Sequence, residues 1–253
     1  MTQISDRLNR LSESATLAMA QMSRELQAKG VDVISLSLGE PDFDTPEFIK
    51  EAAQKAINDN FSHYTPVPGL PEVRSAIATK FKRDNGLEFK VDQIVISTGA
   101  KQSLANVCLC LLNAGDEVLL PCPYWVSYAE IIKLAEGIPV EVPSNISTDF
   151  KVTPEELEAA ITPKTKMLIF SSPCNPSGTV YTQSELEDIS KMLERHPDIY
   201  VMSDEIYEHI NFTDKHFSIG TIPSMTNRTI TVNGVSKGFA MTGWRVGFIG
   251  APT

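Results

Sequence analysis

The sequence is poor in cysteine, in basic runs and in long apolar segments. Four cysteines occur in 253 residues without a CxxC pair, which disfavours a disulfide framework and a structural zinc site. Lys and Arg total 22 against 32 Asp and Glu, and the formal charge of -10 opposes binding to a phosphate backbone. The uncharged segment 118–126 contains Pro121 and Pro123, and it is far shorter than the roughly 18 apolar residues of a membrane span. We therefore expect neither nucleic acid nor a membrane as a partner.

Several short motifs of catalysis and targeting are also absent. The histidines show no HExxH or related ligand spacing, so no metal site is expected. GxGxxG and Walker A patterns do not occur, which disfavours the usual nucleotide-binding functions. The N-terminal segment MTQISDRLNRLSES has no apolar run, so it does not resemble a secretory signal or a transit peptide. A cytoplasmic location is the resulting expectation.

Short apolar segments alternate with amphipathic helical patterns along most of the chain. The periodicity predicts helices over 16–29, after an N-cap at Thr45, and over 71–85. A short strand is expected at 33–36. Seven further strands are predicted to begin at Gln93, Glu117, Ile138, Lys166, Ile199, Thr229 and Val246. This alternation is typical of an α/β domain with a mostly parallel seven-stranded sheet and helices on both faces.

Polar segments follow four of these strands, and ligands of open α/β sheets bind beyond the carboxyl ends of the strands. The turn 97–101 combines small residues with a helix start, an arrangement that suits a phosphate. Asn175 lies in a loop between two prolines, and Asp204 is followed three residues later by Tyr207. Lys237 lies in a Ser/Gly-rich loop, where desolvation would lower the pKa of its amine and make it nucleophilic.

Each of these features taken singly has an ordinary explanation: a βα turn, a proline-bound loop, an N-cap carboxylate and a solvated lysine. At one sheet edge, however, a phosphate turn, an amine, a carboxylate, a phenol and an amide are the groups that hold pyridoxal 5'-phosphate (PLP). The carboxylate keeps the pyridine nitrogen protonated, and Arg245 adds a planar cation suited to phosphate oxygens. PLP is therefore the predicted cofactor.

Six motifs extend this pattern along the chain. They are SLGEPDFDTP (37–46), YTPVPGLPEVR (64–74), PYWVSY (123–128), NPSGTVY (175–181), SDEIYEHI (203–210) and SKGFAMTGWRVG (236–247). On these motifs the sequence resembles the class I family of PLP-dependent aminotransferases, of fold type I, over essentially all 253 residues. Within the family it is most similar to the bacterial aspartate aminotransferase subgroup, through Ser14, Ala15, Thr16, Lys101 and the wording of PYWVSY.

The resemblance implies a role for each matching residue. Lys237 is the Schiff-base lysine and the general base of the proton shift, and Asp204 pairs with the pyridine nitrogen. Asn175 and Tyr207 bond the ring oxygen, and Trp125 stacks on the ring. Further cofactor contacts are implied for Gly99, Ala100, Lys101, Ser236, Arg245 and, across a homodimer, Tyr64 of the neighbouring subunit. Substrate contacts are implied for Gly39, Trp125 and Asn175.

The implied reaction converts L-aspartate and 2-oxoglutarate into oxaloacetate and L-glutamate. Aminotransferases acting on alanine, aromatic amino acids or prephenate share nearly all of these motifs and stay open as alternatives. A C–S lyase or synthase of the same fold and a non-catalytic PLP-fold module also stay open.

Family members continue well beyond Thr253, which sets the expected domain organisation. Residues 1–40 are expected to form an N-terminal arm and part of a small domain that is largely missing. Residues 41–253 are expected to form a PLP-binding large domain that is incomplete at its C-terminus. The arginine that grips the substrate carboxylate belongs to the missing part, so this chain is expected to bind substrate poorly. The last alternative is an incompetent fragment with an exposed, aggregation-prone final strand.

Overall fold

The computed structural model describes residues 4–12, 15–36, 39–213 and 215–253. Among these residues one sheet contains seven strands: β1 (Ile94–Ser97), β2 (Glu117–Pro121), β3 (Ile138–Val142), β4 (Thr165–Ser171), β5 (Tyr200–Asp204), β6 (Thr229–Gly234) and β7 (Gly247–Gly250). Their order across the sheet is β1-β7-β6-β5-β4-β2-β3. The two pairs that include β7 are antiparallel, and the other four are parallel. The mostly parallel seven-stranded sheet predicted from the sequence is confirmed.

Helices precede the sheet and connect most of its strands. In the described ranges they are α1 (Asp6–Asn9), α2 (Ala15–Ala28), α3 (Glu47–Asn58), α4 (Pro71–Lys80), α5 (Ala100–Leu111), α6 (Ser127–Leu134), α7 (Pro154–Ala160) and α8 (Gln183–Leu193). The α4 helix continues into a π-helical turn at Phe81–Asn85 and ends at Gly86, whose φ is 71°. Within these same ranges, no helix combines the length and the apolar character needed to cross a membrane.

Alternate side chains of the central strands enter two separate apolar clusters. Val118 and Leu120 of β2 pack with residues of α5 and α6, whereas Leu119 between them packs with residues of α7 and α8. Met167 and Leu168 of β4 divide in the same way. Strands buried on both faces are strongly apolar because they have no solvent-facing side. The predicted helices on both faces of the sheet are thus confirmed, and the α/β class with them.

The β7 strand lies inside the sheet rather than at its edge. Ile249 pairs with Val95 of β1 on one side and with Val232 of β6 on the other. Phe248 also packs edge-to-face against Phe81, with ring centroids 5.6 Å apart. Both hydrogen-bonding edges of β7 are therefore covered, and the exposed final strand of the incompetent-fragment alternative is not found in the described sheet.

Two local predictions near the N-terminus are wrong. Residues 33–36 form no strand, because no strand partner exists for them in the part of the chain that the structure describes. Thr45 does not cap α3, whose N-cap is Pro46; the Thr45 hydroxyl instead donates a hydrogen bond to the Ala240 carbonyl at 2.7 Å. Ser14, Ser37 and Leu38, which belong to the quoted resemblance, lie outside the described residues.

Candidate active site

Four polar segments meet at one edge of the sheet. The β1, β4, β5 and β6 strands run in one direction, so their last residues, Ser97, Ser171, Asp204 and Gly234, lie along the same edge. The β7 strand runs in the opposite direction, and its first residue, Gly247, pairs with both Ser97 and Gly234. The topology therefore brings together the segments that the sequence identified separately.

Asp204 is a buried carboxylate at the end of β5, only 3% exposed. Its Oδ2 accepts a hydrogen bond from the Tyr128 hydroxyl at 2.7 Å, and its Oδ1 accepts one from the Ile206 N–H at 3.2 Å. Burial raises the pKa of Asp204 to about 6, and the two donors oppose that rise. An ionised carboxylate in this position is suited to bind a cationic N–H group.

Asn175 and Tyr207 form an amide–phenol pair next to Asp204. The Asn175 Nδ2 donates a hydrogen bond to the Tyr207 hydroxyl oxygen at 3.2 Å. The Asn175 loop follows β4 and contains cis peptide bonds before Pro173 and Pro176. Burial raises the pKa of Tyr207, as does the charge of Asp204, so the phenol is protonated at neutral pH. The pair can therefore offer hydrogen-bond donors to an oxygen atom of a ligand.

Lys237 lies in the loop between β6 and β7. Its Nζ donates a hydrogen bond to the Gly39 carbonyl and lies 5.8 Å from the centroid of the Tyr207 ring. Burial lowers the pKa of Lys237; the Glu40 carboxylate opposes this shift, and the Arg245 guanidinium adds to it. A lowered pKa increases the fraction of unprotonated amine, which is the nucleophilic form.

Gly99 and Arg245 form a compact positive corner at the start of α5. Gly99 is the N-cap of α5 with a φ of 91°, a conformation that a residue without a Cβ adopts without strain. A Cβ at this position would overlap the Arg245 guanidinium, so the side chain lies directly against the turn. Arg245 Nη1 also donates to the Thr242 carbonyl at 2.8 Å. Helix N–H groups beside a guanidinium are suited to bind an anion such as phosphate, and Ala100 supplies the first helical residue.

Lys101 and Trp125 lie on the outer side of this corner. The Lys101 ammonium is 4.7 Å from the centroid of the Trp125 ring, which packs edge-to-face on Tyr128 at 5.5 Å. Burial lowers the pKa of Lys101, and so does the neighbouring charge of Arg245. In the described part of the chain no carboxylate forms an ion pair with Lys101. Its charge is therefore available to a ligand.

Ser236 and Tyr64 complete the set of predicted site residues. Ser236 is buried directly before Lys237, and it is the serine of a GxSxG match at 234–238. No helix starts there, and within the described ranges its hydroxyl has no hydrogen bond to a histidine, so a hydrolase nucleophile is not supported. Tyr64 is fully exposed on the surface, and no hydrogen bond in the described ranges joins it to the rest of the set.

The match to known proteins extends over most of the chain. The sequence profile described as "Aminotransferase class I and II" matches residues 31–253. The chain belongs to this family. The class I aminotransferase family is PLP-dependent, so the comparison gives the same cofactor as the residues do.

Other aminotransferases of this family are similar to the chain in sequence and in fold. The aspartate/prephenate aminotransferase of Cereibacter sphaeroides is 50% identical over 254 residues, covering 100% of this chain and 64% of that protein. The aspartate aminotransferase of Thermus thermophilus with maleate superimposes with a TM-score of 0.96 at 44% identity, covering 100% of this chain and 65% of that one. The aromatic aminotransferase of Pyrococcus horikoshii superimposes with a TM-score of 0.85 at 47% identity, covering 94% and 62% of the two chains. The chain thus spans less than two thirds of the length of these aminotransferases.

The residues present fit the cofactor of the aminotransferase family. A buried carboxylate (Asp204), an amide–phenol pair (Asn175 and Tyr207) and an amine of lowered pKa (Lys237) converge on one edge. At the positive corner, the Arg245 guanidinium lies so close to Gly99 that a residue with a Cβ could not replace this glycine. These groups are suited respectively to a protonated pyridine nitrogen, a phenolic oxygen, an aldehyde and a phosphate, which are the four functional groups of PLP.

Sequence reasoning gave no role to two contacts that shape the site. Tyr128 belongs to the quoted motif PYWVSY, but its hydrogen bond to Asp204 depends on how α6 packs on the sheet and has no sequence signal. The Thr242 hydroxyl donates to Glu40 Oε1 at 2.6 Å and ties the N-terminal segment to the loop that carries Lys237. This pair lies nearly the whole chain apart, so only the fold could reveal it.

Proposed function

We propose that the chain provides the cofactor-binding large domain of a PLP-dependent aspartate aminotransferase that exchanges amino groups between L-aspartate and 2-oxoglutarate. The observation that carries this proposal is the convergence of Lys237, Asp204 and the Asn175–Tyr207 pair at one sheet edge. Residues 41–253 would form the large domain, and residues 1–40 an arm and part of a smaller one. The fully exposed Tyr64 would serve the phosphate of a second subunit in a homodimer.

Each side chain has a specific task in this proposal. Asp204 would bind the protonated pyridine nitrogen, and Asn175 and Tyr207 the phenolic oxygen. Trp125 would lie against the ring. The backbone of Gly99 and Ala100, with Ser236 and Arg245, would hold the phosphate, and Lys101 lies beside Arg245. When bound, the cofactor supplies an electron sink for the negative charge that develops at the substrate α-carbon.

Lys237 would have both a binding and a proton-transfer task. Its amine, with a pKa lowered by burial, can bind the cofactor covalently and can accept a proton at Nζ. The Gly39 carbonyl accepts a hydrogen bond from Nζ and so limits its orientation. Gly39 would also lie near the substrate carboxylate, because Lys237 fixes the backbone of this residue beside the site.

Lys101 supports a substrate with two carboxylates. It is an exposed cation beside Trp125, and among the described residues no acid neutralises it. A second carboxylate on the substrate could take that place, as on aspartate and 2-oxoglutarate. The related Thermus enzyme was solved with maleate, which is a dicarboxylate. Prephenate, named for the Cereibacter relative, also carries two carboxylates and is the second candidate substrate.

The first test is the visible absorption spectrum of the purified chain with PLP, before and after L-aspartate is added. We expect a visible band from the lysine-bound cofactor, and its loss on addition of aspartate as the amino group is transferred. A chain that forms the band but does not respond to high concentrations of aspartate or aromatic amino acids would contradict the proposed amino-group transfer from these donors. A spectrum identical to that of free PLP would contradict cofactor binding itself.

The second test concerns the substrate and uses Lys101→Gln. This change keeps most of the side-chain volume but removes the charge, so the aspartate concentration needed for half-maximal loss of the band should rise about tenfold or more. The response to L-alanine, which has no second carboxylate, should change less than twofold. Lys164→Gln, at an exposed lysine before β4, serves as the control. Equal effects on aspartate and alanine would assign Lys101 to the cofactor rather than to the substrate.

A further inference from the structure

A phenol–carboxylate pair lies inside the protein at the end of β5. Tyr128 is 2% exposed and Asp204 is 3% exposed, and the hydroxyl-to-Oδ2 distance is 2.7 Å. In the described ranges, the one other hydrogen bond to this carboxylate comes from the Ile206 N–H. Tyr128 is thus the single side-chain donor to Asp204 in those ranges.

The position of the Tyr128 ring is determined by packing. Tyr128 lies in the first turn of α6 and within the apolar cluster between α5, α6 and the sheet. Trp125 packs edge-to-face on its ring at an interplanar angle of 89°. A ring held in this way can direct its hydroxyl to one carboxylate oxygen only. Its hydrogen bond therefore fixes the orientation of the Asp204 side chain.

The electrostatic surroundings make this hydrogen bond important for the charge of Asp204. The pKa of Asp204 is raised to about 6, chiefly by burial; the Tyr128 hydroxyl and the Ile206 N–H oppose this rise, and the Glu205 charge adds to it. Tyr207 and Cys174 are the other titratable groups that face the pair. Burial opposes the charging of His216, but the Glu205 carboxylate 2.9 Å away raises the pKa of this histidine. Burial and the charge of Asp204 raise the pKa of Tyr128 well above 10. Its hydroxyl therefore stays protonated and can donate a hydrogen bond to Asp204.

We propose that Tyr128 is a positioning residue for Asp204: its hydroxyl holds the carboxylate ionised and correctly oriented for the protonated pyridine nitrogen of the cofactor. The proposal rests on the proposed function, because it assumes that Asp204 binds that nitrogen. Its first part, the control of the Asp204 charge by Tyr128, concerns the protein alone and can be measured without cofactor.

The test is Tyr128→Phe, which removes one oxygen atom and keeps the ring. Carbon NMR of the aspartate side-chain carboxyls, recorded over pH 4–9 without PLP, measures the Asp204 pKa directly, and Asp204→Asn assigns the signal. A hydrogen bond to a charged group is lost, so the Asp204 pKa should rise by about one unit or more. With PLP, the pH midpoint of the visible band should shift in the same direction, and in the Asp204→Asn background Tyr128→Phe should have no effect on it.

Tyr181→Phe is the matched control. Tyr181 is also buried, at 6% exposed, and its hydroxyl oxygen accepts a hydrogen bond from the Val152 N–H at 3.1 Å, away from Asp204. This variant should leave the Asp204 pKa unchanged. If Tyr128→Phe does not fold, 3-fluorotyrosine at position 128 keeps the shape and strengthens the donor, so the Asp204 pKa should fall instead.

The possible outcomes separate the two proposals. An Asp204 pKa that stays the same in the phenylalanine and fluorotyrosine proteins would overturn the positioning role. A shifted Asp204 pKa in a chain that shows no PLP band would keep the control of Asp204 by Tyr128 and refute the proposed function. The expected result is that Tyr128→Phe shifts both the Asp204 pKa and the pH midpoint of the visible band.

Discussion

Replacing Lys237 with alanine should abolish the covalent adduct between this chain and PLP. The expected measurement is borohydride reduction of the mixture followed by peptide mapping, in which the unchanged chain carries the label on the peptide containing Lys237. Burial lowers the pKa of this amine, and it lies beside the Tyr207 ring at the sheet edge where the other proposed cofactor contacts meet. We expect the label to fall at least tenfold, to the level of exposed lysines, because solvated amines are mostly protonated at neutral pH.

A control variant distinguishes loss of the nucleophile from loss of the fold. Lys164→Ala removes an exposed lysine before β4 and should leave the yield on the Lys237 peptide unchanged. Lys237→Ala should also keep the melting temperature of the unchanged chain within a few degrees, since the one hydrogen bond that its side chain makes in the described residues is to the Gly39 carbonyl. Reduced adduct in normal yield from Lys237→Ala would remove this residue from the proposed chemistry.

Replacing Gly247 with alanine should be the most damaging of the single-methyl additions at this edge. A Cβ at Gly247 would fall on the Ala100 nitrogen and the Gly99 carbonyl carbon, and would lie 2.8 Å from the Ala100 Cα. These are backbone atoms of the turn that starts α5, and they cannot move away as the end of a flexible side chain can. We expect a loss of about 3 kcal/mol or more, which lowers the melting temperature of a chain of this size by roughly 6–12 °C.

Gly243→Ala is the matched comparison, four residues earlier, in the loop that leads into β7. A Cβ there meets nothing within 4 Å, so its melting temperature should stay within about 1 °C of the unchanged chain. PLP binding should weaken for Gly247→Ala even at temperatures where the chain is folded, because the displaced turn is the proposed phosphate site. Equal melting curves for the two variants would show that the Gly247 contact is looser than the structure indicates.

The sheet could be predicted from sequence because its strands are apolar on both faces. Short apolar segments such as KMLIF are typical of buried strands, and the turn residues around them indicate where each strand ends. The strand expected at 33–36 shows the limit of that reasoning, because an apolar run becomes a strand only if another strand lies beside it. Thr45 shows the same limit for helix starts: its hydroxyl bonds Ala240, a partner that local sequence cannot indicate.

The residues of the candidate site could be predicted from the sequence, but the contacts that support them could not. Asp204, Asn175 and Lys237 follow strands directly, so the rule for sheet edges places them together without knowledge of the fold. Tyr128 could not be found that way, because its ring reaches Asp204 from a helix that packs across the sheet. The Gly39–Lys237 contact similarly joins residues that are 198 positions apart in the sequence. Such contacts depend on tertiary packing, and their residues carry no local pattern.

The place of β7 has a consequence for how the protein folds during synthesis. The only strand that pairs with β1 in the described sheet is β7. The pairing of Ile94 with Gly250 can therefore form only after Gly250 has been translated. Until then the backbone of β1 lacks its hydrogen-bonding partner, and the Gly99 turn has no Arg245 beside it. Pairing between residues so distant in sequence is a slow step in folding. A nascent chain that ends before β7 should therefore be recognisable by chaperones, and its anion-binding corner should be the last part of the site to become ordered.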